Sequence, residues 1–224
     1  MTNSPAPGAP VPAGPAPAAP DPAAPAAAQG EAGDGLVVGG DGRARCRWAG
    51  TTDIYVAYHD AEWGRTVHGD DAMFERLALE GFQAGLSWLT ILRRRPAFRA
   101  AFDGFRIAAV AAYGDADVAR LLADPGIIRN RAKVAATVAN ARLAADLPDG
   151  LSALLWSYAP PARPRPHTPA AVPAVTAEST AMARELRRRG FRFVGPTTAY
   201  ALMQATGMVD DHLAGCHVPP AARP

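Results

Sequence analysis

Cys46, His59, His212 and Cys216 are the residues of this 224-residue chain whose types and spacing most directly promise chemistry. They comprise both cysteines and two of the five histidines. The spacings are Cys-x12-His and His-x3-Cys, with one pair opening the compact part of the sequence and the other closing it. Two thiolates and two imidazoles make a tetrahedral zinc set, and a site taking all four positions from protein is structural, with none left for water. Such a site clamps the two ends of one domain together. The alternative is two buried thiols and two unrelated histidines, because the pairs lack the tight C-x2-C spacing.

Three further stretches carry chemistry. Tyr55-Val56-Ala57-Tyr58-His59-Asp60-Ala61-Glu62-Trp63-Gly64, with Trp48 nearby, packs aromatic groups and acids into a short non-periodic run. It is either a core-packing loop or a pocket whose flat walls stack on a planar, even cationic, ligand. Leu79-Glu80-Gly81-Phe82-Gln83-Ala84-Gly85-Leu86-Ser87-Trp88 sets one carboxylate among apolar residues. Glu80 there is a solvated helix end or a ligand-facing group, Trp88 a second stacking wall, and the glycines allow close backbone approach. Arg188-Arg189-Gly190-Phe191-Arg192-Phe193-Val194-Gly195-Pro196-Thr197-Thr198 reads as helix, tight apolar hairpin, helix. Its amides can grip a phosphate with help from Arg192. An ordinary helix pair with a glycine C-cap is the competing interpretation.

The elements positioning these residues are helical, so the fold class is all-α. Met73, Phe74, Leu77 and Leu79 mark a helix from Asp70 that breaks at Gly81 and Gly85. Ser87 caps a second, which runs toward Arg95 before Pro96 interrupts it or opens the next turn. Short helices are predicted near 106–113 and 115–123, the latter capped by Asp115, with a longer one over 128–145 and another over 151–158. Residues 159–175 form a Pro-rich loop. Thr176 or Ser179 caps a helix ending at Gly190, and Pro196 opens another that ends near Gly207.

Composition bounds the rest. Residues 1–44 hold nine of the 22 prolines, thirteen alanines and eight glycines, and no aromatic residue. Such a stretch buries too little apolar surface to fold, so a disordered tail is expected there. The remainder forms one domain over 45–220, followed by a short tail at 221–224. No Lys or Arg precedes Arg43, which excludes a secretory signal, and no apolar run approaches the ~18 residues of a membrane span. Two cysteines without an export signal favour a reducing, cytoplasmic setting. Arginines outnumber lysine 22 to one and cluster at 93–95, 129–131 and 184–192, where they can neutralise phosphates or form solvated helix faces.

From Cys46 to Pro220 the chain resembles the 3-methyladenine DNA glycosylase I family, within the helix-hairpin-helix superfamily of base-excision enzymes. The blocks that carry the likeness are Cys46-x-Trp48, Tyr55-x-x-Tyr58-His59-Asp60-x-Glu62-Trp63-Gly64, Leu79-Glu80-Gly81-x-Gln83-Ala84-Gly85-Leu86-Ser87-Trp88, Gly126-Ile127-Ile128-Arg129-x-Arg131-x-Lys133, Arg189-Gly190-Phe191-x-Phe193-Val194-Gly195 and Asp211-His212-x-x-Gly215-Cys216. The resemblance implies one structural zinc on Cys46, His59, His212 and Cys216. It implies a monomer acting on double-stranded alkylated DNA, with no membrane partner, that flips out 3-methyladenine and hydrolyses its N-glycosidic bond. Glu80 would hydrogen-bond the base, Trp88 stack on it and Tyr58 line the pocket, with Trp48, Tyr55 and Trp63 around them. Gly85 and Leu86 would approach the gap left in the DNA stack, and Arg192, Gly195 and Thr197 would meet the backbone.

Two positions depart from the family pattern. Asp210 stands where an acid could activate water, or it caps a helix terminus. Phe82 occupies a place where a polar residue is expected, on the DNA-facing loop. The hairpin contains no lysine, so no Schiff-base nucleophile is available there and strand cleavage is not expected. A non-catalytic, zinc-stapled helix-hairpin-helix DNA-binding module remains the alternative. A zinc deaminase is excluded, because His59 is followed by Asp60 and Ala61 rather than by H-x-E.

Overall fold

The computed structural model describes residues 35–50 and 52–220. The expected tails at 1–34 and 221–224 lie outside these residues. Nine α-helices and one two-stranded ribbon make up the described part. The chain is thus mostly helical, as its pattern indicates, with one correction at the N-terminal end. Leu36–Val38 (β1) pairs antiparallel with Ala44–Cys46 (β2), Leu36 facing Cys46. Residues 35–44, assigned to a tail from composition, therefore belong to the folded body. The run of Leu36, Val37 and Val38 supplies β-formers, and Gly39 to Arg43 supplies the turn, closed by Gly39 N–H donating to the Arg43 carbonyl at 3.0 Å. The ribbon's job is local: it delivers Cys46 to the interior.

The helices follow as α1 (Asp53–Ala61), α2 (Asp70–Gln83), α3 (Trp88–Ala101), α4 (Ile107–Ala111), α5 (Asp115–Ala123), α6 (Arg131–Ala145), α7 (Gly150–Trp156), α8 (Ala177–Arg188) and α9 (Pro196–Ala205). Helix α2 is the axis of the core, touching α3, α4, α6, α7 and α9. Its Met73, Phe74, Leu77 and Leu79 are buried in one continuous apolar cluster with residues of α3 to α9. Ser87 caps α3 by accepting from the Thr90 amide at 3.2 Å, and Thr176 caps α8 by accepting from the Ser179 amide at 3.2 Å. Gly190 follows α8 in the left-handed region at φ +97°, as a C′ glycine should.

Several boundaries differ from the sequence expectation. Helix α2 does not break at Gly81 but continues to Gln83. A Cβ at Gly81 would stand 3.4 Å from the Cβ of Phe193, so this glycine serves a close approach of α2 to the hairpin between α8 and α9. Helix α3 runs through Pro96 to Ala101. Helix α5 takes Gly114, not Asp115, as its N-cap, and α6 begins at Arg131 behind an Asn130 cap. Phe82 is buried with its ring 4.6 Å from that of Phe98 and 5.9 Å from that of Phe102. It is a core residue, where a polar side chain facing an exposed loop is expected from the sequence. No helix of the described residues is long and apolar enough to cross a membrane.

Candidate functional site

The four Cys/His residues come together. Cys46 ends β2, His59 lies on α1, and His212 and Cys216 lie in the segment after α9. All four are buried, and their ligand atoms lie within 4.8 Å of one another. Cys216 Sγ is 3.5 Å from both His59 Nε2 and His212 Nδ1, and Cys46 Sγ is 3.9 Å from His212 Nδ1. Metal–sulfur bonds of about 2.3 Å and metal–nitrogen bonds of about 2.0 Å give tetrahedral edges of this size. The outer ring nitrogens fix the tautomers. His59 Nδ1 donates to Asp60 Oδ1 at 2.7 Å, and His212 Nε2 donates to the Trp63 carbonyl at 3.1 Å. Each imidazole then turns a lone pair toward the sulfurs, as a metal ligand must. The hydrogen bond between the thiols pushes Cys216 down and Cys46 up. Burial works against charge on Asp60, yet Arg45, His59 and His217 outweigh it and hold its carboxyl below the usual range. The cluster of His59, Asp60 and His217 therefore supports the four-residue site rather than forming a second one.

Beside the cluster lies a cavity of about 740 Å³, lined by Trp48, Tyr55, Tyr58, Trp63, Glu80, Gln83, Trp88, Thr197, Tyr200, Gln204 and Asp211 among others. That is a small-molecule size. The elements that carry the Cys/His cluster also build the cavity's aromatic wall. Trp48 follows Cys46 by two residues, Tyr58 precedes His59, and Trp63 packs 4.7 Å from both Trp48 and His212. The opposite side comes from α2 and α3, with Trp88 5.4 Å from Tyr58.

Two polar groups in the cavity lack partners. Glu80 is 6% exposed, with no hydrogen bond or ion pair to any described residue. Burial pushes its carboxyl up to about 8. The Trp88 indole Nε1–H is buried with no acceptor among the described residues. Leaving such groups unpaired is unfavourable, and a ligand bearing both a donor and an acceptor edge would satisfy them. Burial and the nearby Glu80 also raise Tyr58, so its hydroxyl keeps its proton.

Of the other expected site residues, Thr197 lines this cavity, and Gly85, Leu86 and Arg192 are exposed. Gly85 has φ +81°, and Leu86 beyond it is 40% exposed on the turn between α2 and α3. Arg192 is exposed on the hairpin, Gly195 caps α9 and Thr197 sits in its first turn. No side chain caps the start of α9, whose first residue, Pro196, has no amide to offer.

Asp210 does not reach the cavity. Its Oδ2 accepts from Arg165 Nε at 2.9 Å and its Oδ1 from the His212 amide at 3.2 Å, so it closes a turn and holds a loop. Asp211 is the acid that turns inward. It is 2% exposed and accepts from Arg163 Nη2 at 2.7 Å, Tyr200 Oη at 2.6 Å and Gln204 Nε2 at 2.9 Å.

Residues 48–219 match the methyladenine glycosylase family. The chain belongs to that family. It is 40% identical over 185 residues to DNA-3-methyladenine glycosylase 1 of Escherichia coli, covering 80% of this chain and 99% of that protein. It is 40% identical over 183 residues to the DNA-3-methyladenine glycosylase of Haemophilus influenzae, at 77% and 96% coverage. A structure of 3-methyladenine DNA glycosylase I from Staphylococcus aureus, solved for its 3-methyladenine recognition, superposes with a TM-score of 0.76 at 33% identity, covering 80% and 98% of the two chains.

In this methyladenine glycosylase fold, sequence reasoning missed Asp211, Tyr200, Gln204 and Gln83 as cavity residues. Tyr200 and Gln204 are four apart on α9 and so share a face, a spacing that could have flagged them. The Pro-rich loop also contributes a wall, through Pro169, Val172, Pro173 and Ala174. Its two arginines, Arg163 and Arg165, tie it to Asp211 and Asp210.

Proposed function

We infer that the chain is a DNA glycosylase of base excision repair that hydrolyses the N-glycosidic bond of 3-methyladenine in alkylated double-stranded DNA. The observation that carries this is Glu80: a buried carboxyl without a partner among the described residues, set among aromatic walls. A methyl group on N3 makes the purine a cation and weakens its bond to the sugar. A carboxylate in a poorly solvated slot attracts that cation and has little to offer neutral adenine.

The residues divide the work as follows. The hairpin amides around Gly195 and Thr197, with Arg192, grip phosphates without reading sequence. Leu86 enters the space the extruded base leaves, at an extrusion cost of a few kcal/mol that is least for a damaged base. Trp88 and Tyr58 stack on the base, with Trp48, Tyr55 and Trp63 closing the wall. Glu80 accepts from its edge. Water then adds to C1′ as the C1′–N9 bond breaks, and its proton passes to solvent. The electron pair leaves with the base and neutralises its charge, so no general acid is needed.

The metal is zinc by its ligand set, and bound there it supplies a cross-link and no chemistry, since protein fills all four positions. Asp210, engaged by Arg165, is assigned to structure rather than to catalysis. The only lysine, Lys133, is buried and donates to two carbonyls, which supports a monofunctional enzyme without strand cleavage. Incubation with methylated duplex DNA and chromatography of the released bases tests the assignment. Free 3-methyladenine should accumulate in preference to 7-methylguanine, and intact strands should remain. Protein that binds the DNA and releases no base refutes it.

A further inference from the structure

Two DNA-side turns, the wedge turn carrying Leu86 and the hairpin carrying Arg192, come from parts of the chain about a hundred residues apart, yet one helix holds both. Lys133 on α6 extends its Nζ to the Phe82 carbonyl at 2.8 Å and the Ala84 carbonyl at 2.6 Å. Two turns further along α6, Asn140 donates through Nδ2 to the Arg192 carbonyl at 3.0 Å and accepts through Oδ1 from the Arg192 amide at 2.9 Å. Thr137 lies between them, its hydroxyl donating to the Lys133 carbonyl at 2.9 Å. The three residues are 8%, 4% and 6% exposed, a polar stripe where a helix would ordinarily bury apolar groups.

The residue choice at 133 is itself informative. The chain uses arginine at 22 of its 23 basic positions and lysine only here. An ammonium is a compact head with three freely turning donors, suited to two carbonyls at a helix end, whereas a guanidinium is a flat, rigid fork. Helix α2 has no basic residue in its own last turn, so the cation that complements its C-terminal dipole arrives from α6. Beyond that anchor Gly85 turns left-handed, and the Leu86 amide closes the turn on the Gln83 carbonyl at 2.6 Å. Lys133 thus fixes the backbone from which Leu86 projects.

We propose that the stripe Lys133, Thr137 and Asn140 is a positioning spine that sets the wedge turn and the backbone-gripping hairpin at one fixed separation, so that both engage the same duplex and the base is driven out. Seven residues of helix separate the anchors by about 10 Å. Direct packing of Gly81 against Phe193 holds the two elements together on a second side. None of the three residues lines the base cavity. The spine therefore acts on extrusion, not on recognition of the extruded base. This rests on the glycosylase assignment above.

The experiment compares wild type with Lys133→Met and Asn140→Leu under single-turnover conditions. The substrates are methylated DNA in full duplex and the same methylated strand annealed so that the lesions lie in bulges, where extrusion is already half done. Free 3-methyladenine binding and thermal unfolding are measured in parallel. Each variant should lose about tenfold or more in duplex excision, with bulge excision and free-base affinity within about threefold of wild type. In a Leu86→Gly background, Lys133→Met should add no further loss. Should Lys133→Met fail to fold, Lys133→Gln gives the same comparison. Parallel losses in duplex excision, bulge excision and free-base affinity overturn the spine, as does duplex excision left unchanged. A wild type that neither binds the free base nor excises it instead fails the functional assignment, and the spine with it.

Discussion

Glu80→Gln should uncouple stability from function in a pH-dependent way. In the folded protein the Glu80 carboxyl titrates near 8, against an ordinary value of 4.5, because burial disfavours its charged form. Between these values the native state holds a proton that the unfolded chain has released. Stability therefore falls as pH rises through that window, at up to about 1.4 kcal/mol per unit. From pH 4.5 to pH 7 this amounts to roughly 3 kcal/mol, and the decline ends above the folded value. Glutamine has no proton to lose. The stability of Glu80→Gln minus that of wild type should grow by roughly 3 kcal/mol over the same range, or about 6–12 °C in Tm for a domain of this size. Urea unfolding followed by tryptophan fluorescence at several pH values reads this difference directly, and all other titrating groups cancel in it. The variant should be the more stable protein at pH 7 and the poorer enzyme, a trade-off expected where a site is strained for function. A difference that stays flat with pH would show that Glu80 ionises freely in the slot, and that burial does not hold it protonated before the base arrives.

Three other outcomes are expected. The purified protein should carry one zinc per chain, and Cys216→Ser or a strong chelator should release it and destabilise the fold by at least about 4 kcal/mol, the scale for opening so long a closed loop. An unchanged unfolding curve after metal removal contradicts this. Excision of 3-methyladenine from duplex DNA, read as kcat/KM, should rise with pH toward a plateau near 8, because a cationic base needs Glu80 ionised and binding must first expel its proton. A profile that declines from pH 6 to 8 argues against that role. Phe82→Ala should destabilise by about 3–5 kcal/mol through loss of core packing, while free-base affinity persists in the folded fraction. Loss of binding without loss of stability would return Phe82 to the DNA side.

What the sequence disclosed and what it concealed follow from physics. Cys46, His59, His212 and Cys216 were legible because thiols and imidazoles are rare here and have few other uses. Glu80 and the aromatic residues were legible because acids among apolar neighbours, and tryptophans outside a periodic pattern, need a reason. The β1–β2 ribbon was hidden because its turn glycines blend into a glycine-rich flank, and three-residue strands leave almost no alternation. Gly81 was misread as a break because local propensity penalises glycine, whereas its value lies in contact with Phe193, 112 positions later. Asp210 and Asp211 are adjacent acids, and sequence does not say which side chain turns inward. The partners that decide it are Arg163 and Tyr200 for Asp211 and Arg165 for Asp210. The anchoring by Lys133 and Asn140 spans about fifty residues each way, beyond any local pattern.

The central claim is that the slot between Trp88, Tyr58 and Glu80 is shaped and charged for an extruded methylated purine. Titration of the protein with free 3-methyladenine and, separately, with adenine, followed by quenching of tryptophan fluorescence, tests this without DNA. Saturable quenching by 3-methyladenine, at least about tenfold tighter than by adenine and weakened in Trp88→Ala, is the result expected. Equal response to both bases, or none to either from folded, zinc-loaded protein, would mean that the cavity serves some other ligand or none, and the chain would be a DNA clamp without a base pocket.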